Sequence, residues 1–445
     1  MSGWFVPLVI GVALVTLGIA LARSAPRALW WIGAAALAGW FSIVVLKALI
    51  GSWPELQPTP PLHDQLWAAF AFFALYAVIA GWRSASRRQR WLAPVAVCIS
   101  LVAVLAVINS DYAYYPTLAS VFSDQSAKVS LRELRSKGYI HEHRAEADKA
   151  VAQDMGPNGS TTPALIEPIG PAHPTGGTAP TPTAGRVVAV PIPGTASGFK
   201  ARTALVYLPP AWFRANRPRL PVVVLVPGTP GWPHQWTQVA QVDRVADAWA
   251  KVHGGMAPIL AMIDENGSYN GDSECVDRAG LHPETYLTVD VPNTITKLFD
   301  ASPNPQQWAI EGLSEGGTCA MTVALRHPDR YGAFVDIAGE LAPSIGSPAR
   351  NLKQLFGGSQ ATANSYNPSL LLEQRKYAGL GAWFEVGKND SHYRVLNERL
   401  AMLATASGAD THLMMPPGGH SFRIVRSSFS DSLPWLWLRF GAPTS

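Results

Sequence analysis

Four apolar stretches open the chain. Residues 1–22, 28–46, 65–82 and 91–110 contain no Asp, Glu, Lys or Arg. Each is close to the roughly 20 residues a helix needs to cross a hydrocarbon layer of about 30 Å. A core helix of that length in a soluble domain shows a polar stripe, and these show none. The pattern predicts an all-α transmembrane four-helix bundle over residues 1–110. A cleaved signal peptide would carry positive charge ahead of its apolar run, whereas Arg23 and Arg27 follow the first one.

Beyond residue 110 the periodicity changes. "DYAYYPTLASVF" has aromatics suited to a membrane interface, and the charged stretch after it is compatible with a helix, so residues 111–155 are expected to form a juxtamembrane helical segment. His141 and His143 flank Glu142 there without the spacing of a zinc motif, which favours a solvated helix face. Residues 156–185 are dominated by proline, glycine and threonine and predict a semi-extended linker. From residue 186 to 445, short β-rich runs alternate with helical spacing. "RVVAVPIPG" and "ARTALVYLPP" open as strands, followed by "RLPVVVLVPG", "PILAMIDENG", "QQWAIEGL", "YGAFVDIAGE", "GAWFEVGKND" and "THLMMPPGGH". Between them lie "QVDRVADAWAKVHG", "VPNTITKLF", "GTCAMTVALRHP" and "SHYRVLNERLAMLATASG" with helical spacing, and a Trp-rich helix closes the chain. Such alternation predicts a mostly parallel sheet with helices on both faces.

Charge gives the membrane segment an orientation. Arg23 and Arg27 separate the first two runs, and Arg83, Arg87, Arg88 and Arg90 the last two, while the middle loop, residues 51–64, has Glu55 and Asp64 and no Lys or Arg, and Lys47 near a span end can snorkel to the interface. Basic loops stay cytoplasmic, so everything after residue 110 is expected on the outer side of the cytoplasmic membrane. No ionisable residue falls mid-span and no span is broken by paired glycine and proline, which argues for an anchor rather than a transporter. Seven basic residues belong to this segment, so the net charge of +4 needs no nucleic-acid partner. Arginine in excess of lysine and abundant alanine fit a GC-rich bacterial genome. Of the three cysteines, Cys98 lies in an apolar run, and Cys275 and Cys319 lie where disulfides are permitted, either bridged or as two free thiols. No CxxC is present to support a zinc or redox site.

The chemistry concentrates at "WAIEGLSEGGTCA". Gly312-Leu313-Ser314-Glu315-Gly316 stands between a predicted strand and a predicted helix, the context that turns G-x-S-x-G into a nucleophile elbow. Ser314 is the candidate nucleophile. Its base is expected later, after the last strand, with an acid in between: His420 in "PPGGHSF" and Asp390 in "VGKND" satisfy that order, with Asp410 and Glu385 as other acids. The oxyanion is expected at the N–H of Glu315 and at that of Thr229 in "PGTPG", with Gly231 behind it, since Pro230 has none.

At these residues the chain resembles the esterase D and mycolyltransferase branch of the α/β-hydrolases, over roughly residues 187–440. "GLSEGGTCA" is similar to its elbow, "PGT" to its oxyanion loop and "GGHSF" to its histidine turn. The resemblance implies an α/β-hydrolase fold, a Ser-acid-His triad, an acyl-enzyme, acyl-ester substrates, and neither metal nor organic cofactor. The chain departs from the secreted mycolyltransferases in its anchor and in an aspartate where they use glutamate. The loop "IDENGSYNGDSECVDR" adds Asp264, Glu265 and Glu274 as candidate residues of an acidic rim, which would steer cationic substrates. A solvated loop or a structural calcium site is the plainer account of the same residues.

Together these features predict a membrane-anchored serine hydrolase acting on a carboxylic ester of an envelope lipid, such as an aminoacyl-phospholipid. The enzymatic alternative is an acyltransferase passing the acyl group to a sugar or lipid hydroxyl. An inactive hydrolase domain used for binding commonly lacks the serine or the histidine, and here both are present.

Overall fold

The computed structural model describes residues 87–115, 128–140 and 181–441, with isolated positions elsewhere. It divides into two compact units, Met1–Phe122 and Ser123–Ser445.

In the first unit, α1 (Arg87–Tyr112) contains Arg90–Ser110, a stretch of 21 residues. At 1.5 Å per residue it reaches about 31 Å, enough to cross a bilayer by length and composition. Its Ser100 hydroxyl donates back to the Ala96 carbonyl at 2.8 Å, so the polar group is satisfied within the helix. Among the described residues this is one candidate span, where the sequence pattern predicts four. The runs at 1–22, 28–46 and 65–82 fall outside the described residues apart from isolated positions.

Among the described residues, the second unit is built on a main sheet of nine strands, β1 (Lys128–Ser130), β2 (Arg186–Val190), β3 (Ala204–Leu208), β4 (Val222–Val226), β5 (Ile259–Met262), β6 (Trp308–Leu313), β7 (Ala333–Ile337), β8 (Gly381–Glu385) and β9 (Asp410–Met414), beside a short antiparallel pair, His173–Pro174 with Asn216–Arg217, that draws part of the expected linker into this unit. The main sheet has the order β1-β2-β3-β5-β4-β6-β7-β8-β9. Only β3 runs against its neighbours, β2 and β5; every other pairing is parallel. Parallel strands are covered on both faces, so they read as continuous apolar runs; β4, Val-Val-Val-Leu-Val, is buried throughout.

Alternate side chains feed two cores. Val222, Val224, Val226, Ile310 and Phe334 face the layer of α4 (Val291–Phe299), after α3 (Val242–Val252) in the chain, and of α5 (Glu315–Arg326). Val223, Leu225, Ala309, Val335 and Ile337 face α3 and the C-terminal helix on the opposite side. Three short helices, α6 (Pro348–Gln354), α7 (Gln360–Ser365) and α8 (Pro368–Gln374), fill the connection from β7 to β8. The long helix α9 (Ser391–Ser407) follows β8, and α10 (Phe422–Arg439) closes the unit.

The N-terminal boundary differs from the sequence expectation. Lys128–Ser130 pairs with β2 as the sheet's edge strand, and α2 (Leu131–Ser136) follows it directly. Leu134 and Tyr139 are buried in the main core, with Tyr139 packed edge-on to Phe213. The stretch expected as juxtamembrane helix thus belongs in part to the sheet. A three-residue strand is too short to show a period of two, so only its pairing reveals it.

Candidate active site

Ser314 caps α5 immediately beyond β6, with φ 58° and ψ −117°. A residue with a side chain holds that conformation only where surroundings compel it. Here Ser314 N–H donates to Ile337 O on β7 at 2.8 Å, and Ser314 O accepts from Gly317 and Thr318 N–H at 3.0 Å each. The flanking glycines are required sterically. A Cβ on Gly312 would stand 1.9 Å from Gly316 O, and one on Gly316 would stand 2.2 Å from Pro227 O. The elbow is therefore pressed directly against the end of β4.

Beyond β4 the "PGTPG" loop meets the elbow through Thr229, whose hydroxyl donates to Gly271 O at 2.7 Å and lies 3.5 Å from Glu315 Oε2. The N–H of Gly231 is committed to Tyr269 O at 2.9 Å, so the candidate oxyanion donor of this loop is Thr229. Glu315 is the first residue of α5, where backbone N–H groups have no partner within the helix and the helix end is positive.

His420 lies in the loop between β9 and α10, and its Nδ1 is 3.0 Å from Asp390 Oδ2. Asp390 is buried at the start of α9, where its other oxygen accepts from Tyr393 N–H at 3.3 Å. One carboxylate thus caps a helix and holds an imidazole. Two backbone bonds stitch these loops together, from Lys388 N–H to Pro416 O and from Asn389 N–H to Gly418 O, both at 2.8 Å. The other acids are elsewhere: Asp410 opens β9 and pairs with Arg439 at 2.7 Å, and Glu385 faces α10, accepting from Ser427 at 2.8 Å.

Tyr393 is a residue the sequence reasoning missed. Its ring stacks on His420 with centroids 4.5 Å apart, and its hydroxyl lies close enough to the Ser314 side chain for that group to favour the ionised phenol. Burial, first, and the nearby Glu340 carboxylate push this phenol up. The available signal was Asp-x-x-Tyr at a helix start, since residues three apart share a face. Glu340, itself raised by burial, lies near enough to His392 and His420 to be partly offset by them.

The acidic loop does not form a solvent-facing rim. Asp264 is fully buried and accepts from Arg202 Nη2 and from Arg202 N–H, both at 2.6 Å. Asp264 is thus a structural anchor. Glu265 and Glu274 are also buried. The reason is long-range: Arg202 neutralises Asp264 from 62 positions away, and a disulfide between Cys275 and Cys319 fastens the loop to α5. Asn266 Nδ2 joins Glu265 Oε1 at 2.7 Å to Glu315 Oε2 at 3.1 Å. Among the described residues no three His, Cys, Asp or Glu side chains converge as metal ligands.

A hydroxyl on a strained elbow, an imidazole held by a buried carboxylate, and backbone N–H groups at a positive helix end are the parts needed for acyl transfer through a serine. A model of the Esterase family matches residues 199–436. An uncharacterized protein of Corynebacterium glutamicum is 32% identical over 439 residues, covering 96% of this chain and 93% of its own length. The S-formylglutathione hydrolase of Paracoccus denitrificans is 24% identical over 258 residues, covering 54% of this chain and 88% of that enzyme. Among solved structures, a ferulic acid esterase shares 18% identity and a TM-score of 0.50 over 58% of this chain and 100% of its own, a likeness of fold.

Proposed function

The chain belongs to the Esterase family of α/β-hydrolases, and from that premise we propose that it is a membrane-tethered serine hydrolase cleaving carboxylic esters through Ser314, His420 and Asp390. The observation that carries this reading is the meeting of the two halves of the site at Tyr393: its hydroxyl lies beside the strained Ser314, and its ring stacks on the imidazole that Asp390 holds.

His420 Nε2 takes the proton from Ser314 Oγ as that oxygen attacks the ester carbonyl carbon. Asp390 fixes the proton on Nδ1 and stabilises the imidazolium without accepting the proton itself. The tetrahedral oxyanion is received by the N–H groups of Glu315 and Thr229. Collapse breaks the bond to the alcohol, which leaves with the proton from His420, and an acyl-serine remains. Water then repeats the steps in reverse order and releases the acid. If a sugar or lipid hydroxyl replaces water, the same acyl-serine performs acyl transfer.

The N-terminal unit supports the tether and the choice of substrate. The Arg90–Ser110 stretch suits a membrane span, the basic loops orient the catalytic unit outward, and the match to the Corynebacterium protein extends across both units. An enzyme held there meets esters presented by envelope lipids. The carboxylates next to Ser314 favour those with a cationic acyl group, such as aminoacyl-phospholipids.

Labelling of membranes with a fluorophosphonate tests the chemistry. The wild-type chain is expected to be labelled, Ser314→Ala not at all, and His420→Ala only weakly. Undiminished labelling of Ser314→Ala would place the nucleophile elsewhere.

A further inference from the structure

Resting on the esterase reading above, we infer that Glu265, Glu274 and Glu315 form a subsite for the primary ammonium group of an α-aminoacyl ester, directly beside Ser314.

Three observations place the subsite. Glu315 follows the nucleophile in the chain, and Glu265 is tied to it through the single amide of Asn266, at 2.7 and 3.1 Å. Glu274 precedes Cys275, whose bond to Cys319 brings the two Cα atoms to 5.3 Å and so pins Glu274 against α5, the helix Ser314 caps. The third observation points to a ligand. Glu265 is wholly buried and Glu274 is 3% exposed, yet Oε2 of each has no hydrogen-bond partner.

Such oxygens are costly to leave unmet. Burial, and then the Glu315 and Asp264 carboxylates, push Glu265 far above the usual carboxylate range. Burial, then Asp272 and Glu315, do the same to Glu274. Arg202 is spent on Asp264, and Arg278 donates to Ser273 O at 3.1 Å. Among the described residues, neither guanidinium donates to Oε2 of Glu265 or of Glu274.

A primary ammonium supplies one charge and three N–H donors in a volume near that of water. In an α-aminoacyl ester it sits two bonds from the carbonyl carbon, which must approach Ser314 Oγ to about 3 Å to react. Carboxylates adjoining the nucleophile are where that nitrogen arrives. An anionic acyl group would be repelled, and a trimethylammonium has no donors to offer. The subsite therefore selects the acyl half of the ester, by charge and by hydrogen bonding together.

The full-length protein in detergent is tested with p-nitrophenyl esters of alanine, propionic acid and N,N,N-trimethylalanine, whose α-carbons carry an ammonium, a hydrogen and a trimethylammonium respectively. In the wild type kcat/KM for the alanyl ester is expected to exceed that for the propionyl ester at least tenfold, with the trimethylated ester at or below the propionyl one. Glu265→Gln and Glu274→Gln are each expected to shrink the alanyl-to-propionyl ratio at least fivefold. Equal rates for alanyl and propionyl esters in the wild type would overturn the subsite and leave the esterase reading intact. A preference that survives in both variants would overturn its assignment to these residues. Fluorophosphonate labelling is the separate control: absence of labelling at Ser314 would bring down the esterase reading itself. If Ser314 is labelled but no ester is turned over, protection from labelling by 1-aminoethylboronic acid over ethylboronic acid decides, with equal protection counting against the subsite.

Discussion

Substitution of Asp390 by Asn separates catalysis from folding at one atom pair. Asp390 performs two tasks with two oxygens: Oδ2 holds His420 Nδ1 at 3.0 Å, and Oδ1 caps α9 by accepting from Tyr393 N–H at 3.3 Å. Asparagine caps a helix about as well as aspartate, so the second task survives. The first does not. An amide NH2 turned toward Nδ1 requires that nitrogen to accept, which leaves the imidazole proton on Nε2, where it can no longer receive the proton of Ser314. The imidazolium formed during attack also loses its counter-charge in a site where Asp390 is 7% exposed and water screens it poorly. In serine proteases this change of tautomer costs roughly 10⁴-fold in kcat, or about 5.5 kcal/mol of barrier. We expect a loss of that size with a p-nitrophenyl ester, and a melting temperature within a few degrees of wild type. Asp390→Ala removes the cap as well and should lower stability by about a further 1 kcal/mol. A loss in Asp390→Asn below tenfold, in protein that melts normally, would refute the assignment of Asp390 as the acid that orients His420.

Three further outcomes are expected. Tyr393→Phe keeps the ring on His420 but removes the hydroxyl beside Ser314, so if that hydroxyl positions the nucleophile kcat/KM should fall about fivefold, the worth of one hydrogen bond of about 1 kcal/mol; an unchanged kcat/KM would show that the hydroxyl does not position Ser314. Burial pushes both Asp336 and Glu385 up to about 7, so between about pH 4 and 7 the native state holds protons that the unfolded chain has released. Stability should therefore fall as pH rises through that window and level off above it, by a few kcal/mol per group at most, with Asp336→Asn flattening the slope in urea melts at pH 5 and 8. Breaking the Cys275–Cys319 bond, which spans 44 positions, should cost roughly 4 kcal/mol by loop-closure entropy; urea denaturation of the double Ser variant measures it, and an unshifted midpoint would contradict it.

Much of the catalytic unit was legible locally. Apolar runs such as Val222–Val226 and the helical spacing of residues 391–407 announce their elements because strand and helix periods are short-range properties. Gly312-Leu313-Ser314-Glu315-Gly316 was legible for a similar reason: a turn this tight excludes side chains at its flanks, and that exclusion is written into five consecutive residues. Chain order also narrowed the acid to three residues.

Tertiary contacts decided the rest. Asp390, Asp410 and Glu385 all lie near strand ends, yet they face His420, Arg439 and Ser427 respectively, and no local pattern distinguishes them. Burial of the acidic loop depends on Arg202 and on a disulfide to α5, both distant in sequence, so composition alone reads it as a solvated rim. Tyr393 acquires its place only when α9 is packed beside the elbow, and β1 is a strand only because β2 lies next to it. Period and steric exclusion act between neighbours in the chain, whereas charge pairing, burial and sheet edges act between neighbours in space, which only the folded chain brings together.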